Sequence, residues 1–216
     1  MSGHAAFEAV KALGVVPVIA MESLDAAIPL ADALIEGGLP IAEITFRTSA
    51  AADVIKKMTT ERPQLLVGAG TVLTAANAEA AKACGARFAV APGLNPAIVS
   101  RAREIGLPFV PGVATPSDIE LGLSHGCALL KFFPSEALGG VAMLKALGAP
   151  YAHAGVRFVP TGGVNIGNLE TYLALPLVAA VGGTWIATRD DLAQGKWDDI
   201  ANRCKAAVAI AARFRE

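Results

Sequence analysis

One lysine interrupts an apolar segment where a charged side chain is unexpected. Lys131 lies in CALLKFFP at Cys127–Pro134, a segment too apolar for a solvent-facing strand. Burial strips water from an ammonium group and so favours the free amine, the form that attacks a carbonyl carbon. Lys131 is therefore a candidate nucleophile. The alternative is a lysine that only pairs with a carboxylate in the core.

A second group of polar residues alternates with apolar ones in EITFR at Glu43–Arg47. The two-residue period of a strand places Glu43, Thr45 and Arg47 on one face, with apolar residues on the other. Arginine offers a planar fork that suits a substrate carboxylate, and glutamate accepts and donates a proton. A plain Glu–Arg ion pair is the alternative. Because burying these charges close to Lys131 is costly, a functional explanation is favoured.

Glycine-containing turns follow three apolar runs: GAGT at Gly68–Thr71, PTGGVN at Pro160–Asn165 and VGGTW at Val181–Trp185. Glycines let a ligand approach the backbone closely. The last two turns each hold a glycine pair and follow the seventh and eighth predicted strands, where barrels often bind phosphate through free N–H groups. The alternative is that these glycines only make tight turns. Thr71 and Thr161 add hydroxyl groups at the ends of the third and seventh strands.

Eight short apolar runs, each bounded by Gly, Pro or a helix cap, read as strands. They are Val15–Ala20, Ile41–Phe46, Leu65–Ala69, Arg87–Ala91, Pro108–Pro111, Ala128–Phe133, Val156–Pro160 and Leu177–Val181. Helix-period segments with credible ends lie between them, such as Ser23–Gly37, Thr74–Gly85, Asn95–Gly106 and Thr115–Gly126.

This alternation predicts an α/β protein, a (β/α)₈ TIM barrel forming a single domain over residues 1–216, with a short N-terminal helix before the first strand. A doubly wound open sheet is the alternative fold. It normally has a GxGxxG turn after its first strand, and VIAMES at Val18–Ser23 is no such turn. Pro29 is compatible with the first predicted helix only if it lies in the first turns.

The composition excludes several classes of protein. Of the 216 residues, 54% are hydrophobic and 17% are charged, which is typical of a globular chain. With 18 basic against 19 acidic side chains, a nucleic-acid partner is not expected. No apolar run is long enough to span a membrane and no signal peptide is evident, so we expect no membrane partner.

Cysteine and histidine usage argues against metal chemistry. Cys84, Cys127 and Cys204 are far apart and show no CxxC spacing, which favours the reducing cytoplasm over a disulfide framework or a structural zinc site. The three histidines are isolated, and no HExxH or clustered acidic ligand set occurs. We expect neither a metal nor a cofactor.

Taken together, these motifs resemble the 2-dehydro-3-deoxy-phosphogluconate (KDPG) aldolase family, including its bifunctional 4-hydroxy-2-oxoglutarate (KHG) aldolases. The resemblance covers nearly the whole chain. Its segments are VVPVIA, EITFRT, VGAGTV, APGLNP, PGVATPSD, KFFPSEALGG, PTGGV and GGTW, between Val15 and Trp185.

The resemblance implies a metal-free class I aldolase that cleaves 2-dehydro-3-deoxy-6-phosphogluconate, with KHG as a further candidate substrate, and a homotrimer. It implies that Lys131 is the Schiff-base lysine and Glu43 the general acid/base. The implied substrate contacts are Arg47 and Thr71 at the pyruvyl carboxylate, Pro92 and Phe133 beside the imine, and Gly162, Gly163, Gly183 and Thr184 at the phosphate. The family more often has serine in place of Thr184.

Three alternatives remain open at this stage. The phosphogalactonate epimer is a second candidate substrate, although Thr161 favours the gluconate form because related enzymes for the epimer tend to have an apolar residue there. A non-covalent sugar-phosphate isomerase or epimerase barrel is the nearest rival in mechanism. A non-catalytic binding protein with a degenerate site is the third, disfavoured by the complete set of Lys131, Glu43 and Arg47.

Overall fold

Short parallel strands alternate with helices along the chain. The computed structural model describes residues 3–215, so Met1, Ser2 and Glu216 of the predicted 1–216 domain lie outside the described residues. The strands are β1 (Val15–Ile19), β2 (Ile41–Thr45), β3 (Leu66–Gly70), β4 (Phe88–Val90), β5 (Phe109–Val110), β6 (Gly112–Val113), β7 (Leu129–Phe132), β8 (Arg157–Pro160) and β9 (Val181–Gly183).

The helices cover the outside of these strands, and α1 precedes the first strand. They are α1 (Gly3–Leu13), α2 (Ala27–Glu36), α3 (Ala51–Glu61), α4 (Ala75–Ala83), α5 (Pro96–Glu104), α6 (Pro116–Ser124), α7 (Gly140–Gly148), α8 (Leu169–Leu173), α9 (Arg189–Gln194) and α10 (Trp197–Ala211). Three short 3₁₀ turns occupy Glu136–Leu138, Ala149–Ala154 and Ala212–Phe214.

The strands form a curled parallel sheet in two sections, and the predicted TIM-barrel architecture is confirmed. One section has the order β5-β4-β3-β2-β1-β9 and the other β6-β7-β8. Single bridges from Phe158 to Val178 and from Thr161 to Gly182 join β8 to the β9 side. Because β1 pairs with β9 and the strand order never reverses, the doubly wound alternative is wrong.

The predicted fifth strand, Pro108–Pro111, is divided in the structure. Pro111 has no N–H to give to a ladder, and it separates β5, which pairs with β4, from β6, which pairs with β7. The carbonyl of Pro111 accepts a hydrogen bond of 2.8 Å from the backbone N–H of Lys131. The chain therefore changes neighbours at this proline, next to the candidate nucleophile.

The predicted eighth strand, Leu177–Val181, begins four residues and ends two residues before the observed β9. Val178 makes only an isolated bridge, and the ladder with β1 begins at Val181 and includes Gly182 and Gly183. The strand was predicted at the earlier residues because they are apolar. The glycine pair was assigned to a turn because glycine has a low strand propensity. The glycines are needed in the strand because an added Cβ would lie 2.4 Å from Thr161 Oγ1 at Gly182 and 1.8 Å from the Trp185 ring at Gly183.

The four predicted helices are present with shorter ends. The helix expected over Ser23–Gly37 is α2, which begins at Ala27, so Pro29 is its third residue. Its missing N–H costs no helical hydrogen bond in that first turn. Thr74, Asn95 and Thr115 cap α4, α5 and α6 through side-chain oxygens that accept backbone N–H groups.

Candidate active site

A cavity of about 340 Å³ opens at the carboxyl ends of the strands. Parallel strands place the residues that follow them at one end of a barrel, and this is the end that carries the cavity. Its lining residues are Val18, Glu43, Thr45, Arg47, Thr71, Pro92, Lys131, Phe133, Thr161, Gly162, Gly163, Val164, Asn165, Gly183, Thr184 and Trp185. The structure therefore brings every candidate site residue of the sequence analysis to one cavity.

Lys131 and Glu43 face each other across this cavity. Lys131 Nζ lies 3.4 Å from Glu43 Oε1, and the two residues are 5% and 3% exposed. Lys131 is the third residue of β7 and Glu43 the third of β2, so strands from opposite sides of the barrel bring them together. A buried ammonium and carboxylate at this distance can exchange a proton, which leaves an uncharged amine.

The space below the Lys131 amine is apolar and nearly filled. Its walls are Val10, Val16, Phe88, Val90, Val110, Leu129 and Val159, with Glu43, Lys131 and Thr161 at the top, around a cavity of about 20 Å³. The Lys131 amine also lies 5.5 Å from the centre of the Phe133 ring. The amine therefore has Glu43 as a proton acceptor and the Phe133 ring as a further neighbour, in otherwise apolar surroundings.

Glu43 depends on a glycine in the next strand. A Cβ on Gly70 would lie 2.2 Å from Glu43 Oε1, so only glycine leaves room for the carboxyl group. A Cβ on Gly68 would likewise lie 2.3 Å from the Phe88 ring. The glycines of the GAGT motif therefore accommodate neighbouring side chains inside β3 rather than a bound ligand, which differs from the close backbone approach expected from the sequence.

Arg47 lies beyond the end of β2, in an exposed turn at the mouth of the cavity. Among the described residues, no carboxylate lies within ion-pair distance of its guanidinium group. The plain Glu43–Arg47 ion pair is therefore absent from this part of the chain, and Glu43 pairs with Lys131 instead. An arginine without an acidic partner at the rim of a cavity is suited to bind an anionic ligand.

Thr71 has an uncommon backbone conformation. Its φ of 56° lies in the left-handed region, where a β-branched residue is strained by about 1–3 kcal/mol. Hydrogen bonds on both sides hold it there, from Phe46 N–H to the Gly70 carbonyl and from Val72 N–H to the Val90 carbonyl. This strain places Thr71 in the cavity wall directly after β3.

Two glycines of the loop after β8 line the cavity. Gly162 and Gly163 have φ values of 96° and 85°, which glycine adopts without strain. Within residues 3–215, no hydrogen-bond acceptor is recorded for the N–H groups of Gly162, Gly163 or Thr184. Clustered free N–H groups form a concave surface that favours an anion.

The loop after β9 is braced from behind by an ionic network. Arg203 Nη1 donates to the Trp185 carbonyl at 2.9 Å and to Asp191 Oδ2 at 2.7 Å. Asp191 also accepts hydrogen bonds from the backbone and hydroxyl of Thr188. The hydrogen bond from Arg203 is the main reason that the pKa of Asp191 is well below its ordinary value, so Asp191 stays charged and the brace persists.

A second brace supports the loop after β8. The N–H groups of Ser135 and Glu136 donate to the carbonyls of Thr161 and Gly162 at 2.8 and 3.0 Å. The Tyr172 hydroxyl donates to the Glu136 carboxylate and accepts from the Ser135 hydroxyl at 2.7 Å. Burial, with Glu136 adding to it, raises the pKa of Tyr172 to about 12, so the hydroxyl remains a donor.

We expect Tyr172→Phe to lower the free energy of unfolding by about 1–3 kcal/mol, because the fully buried Ser135 hydroxyl loses its partner. Urea denaturation followed by circular dichroism measures this change. Tyr151→Phe is the matched control, since its hydroxyl bonds the exposed Glu120, and should cost less than about 0.5 kcal/mol. Equal losses in the two variants would contradict a structural role for the Tyr172 network.

Five lining residues were not among the candidate site residues: Val18, Thr45, Val164, Asn165 and Trp185. The strand period had already placed Thr45 on the face of Glu43, but without a role. Val164 and Asn165 belong to the PTGGVN motif, and Trp185 belongs to VGGTW, so motif membership was the available signal. Val18 had no distinguishing signal, because apolar residues are expected throughout a strand.

Residues 3–215 offer neither a membrane-spanning helix nor a cluster of metal ligands. In that range no helix combines the length and apolarity needed to cross a membrane. The same range contains no cluster of three or more His, Cys, Asp or Glu side chains that could hold a metal ion.

Comparison with known proteins decides which family uses this arrangement. A family model described as KDPG and KHG aldolase matches residues 7–203. The 2-dehydro-3-deoxy-phosphogluconate aldolase of Haemophilus influenzae is 45% identical over 203 residues, which are 94% of this chain and 95% of the relative. The chain belongs to the KDPG and KHG aldolase family. The resemblance inferred from its motifs is thereby confirmed.

Solved structures of the KDPG and KHG aldolase family share the fold. KDPG aldolase from Legionella pneumophila, with pyruvate captured at low pH as a covalent carbinolamine intermediate, has a TM-score of 0.90 and 39% identity, covering 96% of this chain and 98% of that one. The Zymomonas mobilis enzyme with 3-phosphoglycerate has a TM-score of 0.87 and 37% identity, covering 97% and 98%. Membership of this aldolase family argues against the isomerase and the non-catalytic binding protein.

Proposed function

We propose that this protein is a class I aldolase that cleaves 2-dehydro-3-deoxy-6-phosphogluconate to pyruvate and glyceraldehyde 3-phosphate. One observation carries the proposal: the buried Lys131 amine lies 3.4 Å from the Glu43 carboxylate in the cavity at the mouth of the barrel. The carbinolamine captured in the Legionella enzyme supports covalent chemistry in this family. The reaction requires no metal or cofactor, because a lysine imine itself withdraws electrons.

The first half of the reaction forms the imine. Glu43 takes a proton from Lys131, and the free amine attacks the C2 carbonyl carbon of the substrate. The resulting carbinolamine gains a proton on its hydroxyl group and loses water. The product is a positively charged iminium that joins Lys131 Nζ to C2.

The second half breaks the carbon–carbon bond. Glu43, directly or through a water molecule, removes the proton of the C4 hydroxyl, and the C3–C4 electron pair moves toward the iminium nitrogen. Glyceraldehyde 3-phosphate leaves, and the enamine of pyruvate remains on Lys131. Glu43 then returns a proton to C3, and hydrolysis of the iminium releases pyruvate and restores the amine.

The remaining candidate residues form two groups, one at the carboxylate end of the substrate and one at its phosphate end. Arg47 and Thr71 hold the pyruvyl carboxylate, and Pro92 and Phe133 form the wall beside the imine. The N–H groups of Gly162 and Gly163, the backbone of Gly183 and the hydroxyl of Thr184 bind the phosphate. The absence of an acidic partner for Arg47 and the free N–H groups in the loop after β8, both within residues 3–215, support this division.

Reductive trapping tests the proposal directly. Sodium borohydride added with pyruvate should reduce the iminium to a stable secondary amine, which adds mass to the peptide that contains Lys131. The same preparation should release pyruvate from the phosphogluconate substrate. If no adduct forms on that peptide, a non-covalent barrel enzyme becomes the better explanation.

Thr161 is proposed to favour the gluconate over the galactonate substrate, which differs only at the C4 hydroxyl. Thr161 is buried at the end of β8, where its hydroxyl donates to the Val159 carbonyl at 3.3 Å and still has lone pairs for a substrate hydroxyl. We expect kcat/KM to be about 10–100-fold higher for the gluconate and Thr161→Val to reduce that ratio. Equal kcat/KM values for the two epimers would remove Thr161 as the discriminator.

The setting of the enzyme is part of the proposal. We propose a single domain over residues 1–216, supported by one hydrophobic core that extends from Val10 to Ala211. We also propose KHG as a further substrate, a homotrimer and a cytoplasmic location. The further substrate and the homotrimer follow from the family. The cytoplasmic location is supported by the three free cysteines. Light scattering should give three times the chain mass of 22.0 kDa.

A further inference from the structure

One threonine hydroxyl at the cavity has no hydrogen-bond partner. Thr45 is the last residue of β2, two positions from both Glu43 and Arg47, and is only 2% exposed. Its Oγ1 atom is buried and unpaired among the described residues. Because buried hydroxyl groups are nearly always hydrogen-bonded, an unpaired one at a ligand cavity indicates a group that pairs with the ligand.

Two other threonines in this part of the fold use their hydroxyl groups within the protein. The hydroxyl of Thr48 donates to the Met21 carbonyl at 2.5 Å, and the hydroxyl of Thr161 donates to the Val159 carbonyl. The Trp185 indole N–H is also buried and unpaired, and Trp185 lines the same cavity. Of the four buried unpaired side-chain atoms in the described residues, two therefore belong to residues of this cavity, and the other two are nitrogens of Arg215, which does not line it.

The surroundings of Thr45 indicate which part of the substrate it meets. Thr45 pairs in register with Gly70, the residue before Thr71, and Arg47 follows in the next turn. Three donors are thus grouped at this side of the cavity, and Glu43 is the only acidic residue among those that line it. A carboxylate accepts about four hydrogen bonds, of which the arginine fork supplies two.

We propose that Thr45 is a further substrate-binding residue, whose hydroxyl donates a hydrogen bond to the keto-acid carboxylate beside Arg47 and Thr71. This inference rests on the proposed function, because it requires the keto acid to be bound at Lys131. The hydrogen bond satisfies the buried hydroxyl only when the substrate is present. Thr45 therefore contributes to binding without contributing to the stability of the free protein.

Thr45→Val tests the proposal, because valine keeps the shape and removes the hydroxyl. The pyruvate concentration that gives half-maximal borohydride inactivation of the full chain should rise about 10–100-fold, the usual effect of losing a hydrogen bond to a charged group. The half-saturating concentration of glyceraldehyde 3-phosphate in the synthetic direction should stay unchanged. The melting temperature should not fall, and Thr45→Ser should restore binding of pyruvate to within about threefold.

Thr48→Val is the matched control. It removes a hydroxyl that bonds the protein, so the melting temperature should fall while half-saturation by pyruvate stays at the wild-type value. An unchanged pyruvate constant in Thr45→Val, or equal increases for pyruvate and the aldehyde, would overturn the role of Thr45 and leave the aldolase function intact. If pyruvate fails to trap the wild-type chain, the proposed function and this inference both fail.

Discussion

We expect Lys131→Met to abolish aldol cleavage and reductive trapping by pyruvate. Without the amine no imine forms, and kcat/KM should fall by at least ~10⁴-fold. The variant should also be less stable by about 3–5 kcal/mol, because the Glu43 carboxylate, 3% exposed, loses its positive partner. Pyruvate release and borohydride trapping measure the first effect, and urea denaturation measures the second.

The double variant Lys131→Met with Glu43→Gln separates catalysis from stability. It removes both buried charges, so most of the lost stability should return while activity stays absent. This variant shows whether the single variant is inactive because it lacks the nucleophile or because it is poorly folded. Cleavage above background in the folded double variant, or an adduct on another peptide, would contradict the role of Lys131.

Glu43→Gln should lower kcat by about 10²–10⁴-fold and slow imine formation, while some imine still forms between pyruvate and Lys131 because water can take the Lys131 proton in place of Glu43. The amide keeps the size of the side chain and can accept the hydrogen bond from Lys131, but it cannot take the proton of the C4 hydroxyl. Single-turnover cleavage measures the proton-transfer step, and borohydride trapping measures imine formation separately.

The two readouts make this prediction specific. Glu170→Gln is the matched control, since Glu170 is an exposed carboxylate on α8 that pairs with Arg213, and its kcat should remain at the wild-type value. Complete loss of trapping in a folded Glu43→Gln protein would contradict this prediction, because it would show that water cannot replace Glu43 as the acceptor of the Lys131 proton.

The sequence predicted those parts of the site whose signal is local. Short segments are enough to find a lysine within an apolar strand, or a glutamate on the strand face opposite apolar residues. A charged residue is unexpected in such a segment and therefore indicates a special role. The βα alternation predicted the barrel in the same way. Since strands of a barrel end on one side, the candidates could be assigned to one site before any contact was known.

The sequence did not predict features that depend on contacts between distant segments. Gly182 and Gly183 belong to β9 because the Thr161 and Trp185 side chains occupy the space of their missing Cβ atoms. Gly70 is required by Glu43, and the loop after β8 is braced by Tyr172 through Glu136. Each of these contacts follows from the packing of side chains and the strand register, neither of which a single segment determines.

The amino-acid sequence by itself determined the alternating architecture, the aldolase resemblance and the choice of candidate catalytic residues, since these follow from residue type and short-range spacing. Only the tertiary structure decided that Glu43 pairs with Lys131 rather than with Arg47, and that the hydroxyl of Thr45 is left unpaired. The physical reason is that Lys131 and Glu43 are 88 residues apart in the chain, and the closure of the barrel brings them within 3.4 Å.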